Sequence, residues 1–89
     1  MPALSMFYGI IVYMYFLDDQ QHHEPHIHVR YQDDEVVVAI PSGKVLGGAI
    51  PDPKMKLVQA WIVLHVDELM ADWLLATTGQ PLYKIDPLK

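Results

Sequence analysis

DPKMKLVQAWIVLHVDELMADWLLATTG, residues 52–79, decides the fold. It opens on Asp52, an N-cap type of residue, and on Pro53, whose missing N–H costs nothing at a first helical position. It closes on Gly79 with Pro81 just beyond, the usual stop signals. Between these ends Val58, Trp61, Ile62, His65, Leu69, Trp73 and Ala76 recur at the spacing of one helical face. One long amphipathic helix is therefore expected. Its other side is not polar, because Val63, Met70 and Leu74 lie roughly opposite Trp61 and Leu69. A helix that is apolar nearly all round is usually covered on more than one side. Either the sheet and the C-terminal segment wrap it, or Val63, Met70 and Leu74 meet a second subunit or a protein partner.

Upstream of the helix the chain reads as strands. Met6 to Leu17 is β-branched and aromatic, as in a strand covered on both faces, with Gly9 marking a bulge or a close backbone approach. Asp18 to Pro25 is polar and reads as a loop. His26 to Tyr31 alternates, which puts Ile27, Val29 and Tyr31 on one face and His26, His28 and Arg30 on the other. Asp33-Asp34 reads as a turn, Glu35 to Ile40 as a strand, and Pro41 to Lys44 as a second turn. Lys44 to Ile50 would return as a hairpin partner weakened by Gly47-Gly48. Pro81 to Leu88 reads as a last strand or an extended tail. The expected architecture is a single α+β domain over residues 1–89. A small antiparallel or mixed sheet of four to five short strands packs on one long C-terminal helix, in the order β-β-β-β-α-β.

Composition narrows the function. Hydrophobic residues make up 52 % of the chain, rich for a domain of this size, so the core is dense or some apolar surface is covered by another molecule. Cysteine is absent, which fits a reducing compartment, and a cytoplasmic location is expected. The Met6–Leu17 run is too short for a bilayer and lacks the flanks of a signal peptide, so no membrane partner is expected. Net charge is −5 with only six Lys and Arg, and these are scattered, which disfavours nucleic acid.

Asp18 to His28 is the chemically loaded stretch, with four histidines and three carboxylates. His26 and His28 are two apart on one strand, so their rings point the same way and Arg30 continues the row. Two such imidazoles can share a divalent metal such as zinc, with His22, His23, Glu24 or Asp19 folding back as a further ligand. They can also act as acid and base while Arg30 holds an anion. The bland alternative is that His26 and His28 brace the loop by hydrogen bonding, with His22 and His23 solvated. His65, inside the helical stripe, reads as a hydrogen-bonded core residue unless the helix brings it to His26 and His28. Five histidines also leave a pH-responsive domain open.

Several stretches together carry a resemblance. The opening Met1 to Phe16 and the motif Pro25-His-Ile-His-Val-Arg-Tyr31 resemble the bacterial domain-of-unknown-function 4160 family. So do Trp61-x-x-x-His65-x-x-Glu68-Leu69-x-x-x-Trp73 and Gly79-x-Pro-Leu-x-x-Ile-x-Pro-Leu88. Glu24 stands where that family often has Pro, Ile27 replaces its usual Phe, and the loop after Phe16 is longer. The resemblance implies no established activity. It implies frequent pairing with a neighbouring gene of the domain-of-unknown-function 2442 family, an arrangement that resembles toxin–antitoxin pairs.

The expected function is a non-enzymatic protein-binding domain, one component of a toxin–antitoxin-like pair. Its partner would be a small protein encoded nearby or a second copy, and no cofactor is expected. The rival is a metal-assisted or His-based hydrolase or nuclease. Its catalytic candidates are His26, His28 and Arg30, and its metal candidates are His22, His23, His26, His28 and His65.

Overall fold

The structure, a computed structural model, describes residues 3–15 and 24–89. Among the described residues, five strands form one antiparallel meander in sequence order: β1 (Ser5–Phe7), β2 (Ile10–Tyr13), β3 (His26–Tyr31), β4 (Asp34–Ala39) and β5 (Val45–Gly48). Two helices follow, α1 (Asp52–Leu64) and α2 (Val66–Thr77). The α+β class, the strand count and the helical segment match the sequence reading. Three details differ, each for a local reason.

First, the apolar run after Met6 is a hairpin rather than one strand. Tyr8 and Gly9 both take left-handed backbone, φ 51° and 78°, as a two-residue turn matched to strand twist requires. Beyond the turn, burial alternates: Ile10 and Val12 are fully hidden, while Ile11 and Tyr13 are half-buried. Gly9 also makes the expected close approach, since a Cβ there would sit 3.3 Å from Tyr31 Cε1.

Second, the long helix is interrupted at His65, whose φ of −128° and ψ of 30° are not helical. The His65 N–H bonds back to the Ile62 carbonyl at 3.1 Å, and the His65 carbonyl accepts from the Leu69 N–H at 2.9 Å. One residue thus ends α1 and starts α2 with its backbone groups satisfied. The inner stripe runs through the break: Val58, Trp61, Ile62, Leu69 and Ala76 are fully hidden and Trp73 nearly so. At the helix start, Asp52 is not the cap. Pro51 holds that position without a side-chain bond, and Asp52 lies in the first turn, where its charge suits the helix dipole. At the other end the Gly79 N–H bonds Ala76 O and the Gln80 N–H bonds Leu75 O, the paired closure of a glycine-terminated helix.

Third, the expected order β-β-β-β-α-β gives way to five strands ahead of the helices, and the C-terminal segment is the extended tail of the two alternatives rather than a last strand. It is tied down by single bonds: Ile85 N–H to Leu4 O at 2.9 Å, Trp61 Nε1–H to Asp86 O at 2.8 Å, and Tyr83 N–H to Asp72 Oδ1 at 2.9 Å. These bonds hold Ile85 in the core.

Register explains the core. Val29 pairs with Val12 on one side and Val36 on the other, and Ile27 pairs with Val38, so one sheet face is a continuous β-branched surface. The inner stripe of both helices joins it in one hydrophobic cluster. Each hidden Val, Ile or Leu contributes roughly 1.5–3 kcal/mol relative to exposure. Polar ties fix the placement of α1: Lys54 Nζ donates to Tyr8 O at 3.2 Å and lies over the Tyr31 ring, and Gln59 Nε2 donates to Gly43 O at 3.1 Å. In β5, Leu46 is an extra residue, because Val37 pairs with Gly47 while Val38 pairs with Val45. The bulge brings Gly48, at φ 74°, so close to β4 that a Cβ would lie 2.2 Å from Glu35 O. Only glycine fits there.

Candidate functional site

Two regions carry the residues singled out from the sequence. The first is the row on β3. Burial falls along it, from hidden His26 through half-buried His28 to exposed Arg30. At the hidden end, His26 Nδ1 donates to the Glu24 carbonyl at 2.9 Å, which fixes that nitrogen as the protonated one. The His26 ring lies 5.0 Å from the Trp73 ring of α2 and 5.3 Å from His28. The His28 ring is 4.3 Å from Tyr15, and its Nδ1 is 3.7 Å from Glu35 Oε1. Arg30 faces Glu35 across the strand pair. The expected row therefore exists, but it is packed into aromatic side chains at one end rather than laid open as a whole.

His65 does not join it as a third ligand. Its ring is 5.5 Å from Trp61, and its Nδ1 is 2.7 Å from Glu68 Oε1. It is half-buried at the helix break rather than hidden in the core. Among the described residues no three His, Cys, Asp or Glu side chains are grouped to hold a metal ion. His22, His23 and Asp19 lie outside the described residues.

The second region is the outer face of the helices. Val63 is 72 % exposed and Leu74 68 %. Met70 is different: it is half-buried and packs against the core. Leu64, not picked out from the sequence, is 66 % exposed beside Val63. Its neighbour Val63 was the available signal, since both precede the break and neither falls on the inner stripe.

Asp72 was also missed. It is buried on α2, with Oδ1 accepting the Tyr83 N–H and Oδ2 without a hydrogen-bond partner among the described residues. Burial pushes its pKa up, the Tyr83 bond works against this, and the nearby Glu68 charge adds to the rise. Asp72 lines a cleft of 240 Å³ with Glu68, Ala71, Tyr83, Lys84 and Ile85. No sequence pattern marks it, because the burial depends on the C-terminal segment folding back.

Comparison with protein families gives a match over residues 9–74 of the 89, to the family described as Domain of unknown function (DUF4160). The chain belongs to this family. The DUF4160 match runs from the β1–β2 turn to Leu74. It therefore takes in the His26–Arg30 row, the break at His65 and the exposed apolar positions. The C-terminal segment that meets Asp72 lies beyond it. Comparison with curated proteins and with solved structures gave no match. Among the described residues, no helix is long and apolar enough to cross a membrane.

Proposed function

We propose that the chain is a non-enzymatic protein-binding domain that docks through the outer face of its helices. It would act as one component of a two-protein module resembling a toxin–antitoxin pair. The observation that carries this reading is the exposure of Val63, Leu64 and Leu74 on adjoining helices. Single exposed apolar residues are ordinary, whereas several large ones on a helix pair that already buries another stripe are the positions a partner would cover. The gene pairing implied by the family resemblance supports a small protein partner encoded alongside.

Co-expression with a neighbouring domain-of-unknown-function 2442 product tests the reading. The two proteins should co-purify, and Val63→Glu with Leu74→Glu should abolish the complex while the circular dichroism spectrum is retained. A complex that ignores both substitutions, or none at all, would sink it. The rival hydrolase reading has less support, because His26 is buried against Trp73 and offers a substrate little access. Zinc or nickel titration of the His26→Ala and His28→Ala variants, together with a nuclease assay, separates the two readings.

A further inference from the structure

We propose that the cleft between α2 and the C-terminal segment is a pocket for one basic side chain of the protein partner. This rests on the docking reading above and adds a charged anchor to its apolar face. Among the described residues that line the cleft, Asp72 alone is both charged and buried, at 2 % exposure. Its Oδ1 accepts the Tyr83 N–H, and its Oδ2 has no hydrogen-bond partner among those residues. A buried carboxylate with an unpaired oxygen is costly, and a cation held against it offsets that cost. Glu68, four residues earlier on α2, lines the same cleft, and residues at that spacing are neighbours on a helix. Lys84 is the one cation among the described lining residues, and it makes no ion pair with another described residue. Two carboxylates against one ammonium leave a negative charge over, which a second cation would balance.

Size and position select the source of that cation. At 240 Å³ the cleft is smaller than the roughly 300–1,000 Å³ of pockets for drug-sized ligands, and suits the end of one side chain. Oδ2 is closed off in the free chain, so entry requires the Tyr83 wall to shift outward, and that residue is 75 % exposed. Ala71 lines the cleft and is exposed. Leu74 follows it by three residues on α2 and so adjoins it on the helix surface. The cleft is therefore continuous with the outer apolar face, and a partner that covers Leu74 has its own side chains within reach of Asp72. The chain's net charge of −5 favours a basic partner over a second copy.

Amide NMR of the full chain, titrated with n-butylammonium and separately with n-propylguanidinium at constant ionic strength, tests the chemistry. The Tyr83 amide reports directly on Asp72. A saturable shift of that amide is expected with at least one of the two cations. It should be absent with 1-butanol and lost in Asp72→Asn, which keeps an oxygen for the Tyr83 N–H. Lys84→Gln should tighten cation binding by about threefold, a gain that no loss of folding could imitate. In the co-expressed complex with the neighbouring gene product, Asp72→Asn should raise the Kd by about tenfold. No saturable shift, or a shift unchanged in Asp72→Asn, overturns the site. A shift alongside a complex indifferent to Asp72→Asn overturns the partner as the source and leaves a free small amine as the ligand. A complex lost on Leu74→Glu but indifferent to Asp72→Asn, with no amine shift, overturns this inference and leaves the docking reading standing. Absence of any complex overturns the docking reading and the partner assigned here with it.

Discussion

The inner and outer faces of the helices are built from similar residues and behave as opposites. Val58, Ile62 and Leu69 are fully hidden against the sheet, while Val63, Leu64 and Leu74, of the same chemical kind, stand in solvent. Hydrophobicity alone does not separate them. What separates them is whether the sheet supplies a surface: the Val12–Val29–Val36 row takes up one helical stripe and has no room for a second. An apolar residue outside that stripe is then free for an intermolecular role.

Substitution sharpens this contrast most strongly at neighbouring positions. Trp61→Ala should cost about 3–5 kcal/mol in urea unfolding, from lost burial, a cavity and the orphaned Asp86 carbonyl. Val63→Ala, two residues on, should stay within about 0.5 kcal/mol in dilute solution. Comparable losses would mean that Val63 is covered within the chain. The β3 row repeats the contrast on a smaller scale. His26→Ala should cost about 2–4 kcal/mol, since it empties a site packed on Trp73 and removes the bond to Glu24. Arg30→Ala should change stability by less than about 0.5 kcal/mol.

The smallest effect concerns Asp72, a polar residue on the buried side. Its carboxyl is harder to ionise folded than unfolded, mainly through burial. Its contribution to stability is therefore fully present below the ordinary value of 3.8 and is lost as pH rises through the raised folded value. Asp72→Asn never ionises and keeps an oxygen for the Tyr83 N–H. The melting temperature of the variant minus that of the parent should therefore increase with pH across that window. A constant difference would show that Asp72 ionises normally.

Much of this was legible in the sequence and some was not. The alternation of His26 to Tyr31 correctly assigned Ile27 and Val29 to the core face, because side-chain period is a property of the strand itself. The same logic placed Val63 and Leu74 opposite the inner stripe. It failed for Met70, which sits near that stripe's margin and still reaches the core. It also failed for Asp72, where the C-terminal segment folds over the carboxyl. The β3 histidines were found as a pair, but their gradient of burial depends on Trp73, an element 47 residues further along the chain than His26.

The long apolar segment between Asp52 and Gly79 by itself determined an α+β fold with a helical C-terminal half, since capping, period and stop signals act within a few residues of one another. Only tertiary structure decided that the segment breaks at His65, where a non-helical residue is tolerated because Ile62 and Leu69 take up its backbone groups. Tertiary structure also decided which apolar face is hidden. A periodic pattern states that two faces exist, but burial requires an opposing surface, and the sheet presents only one.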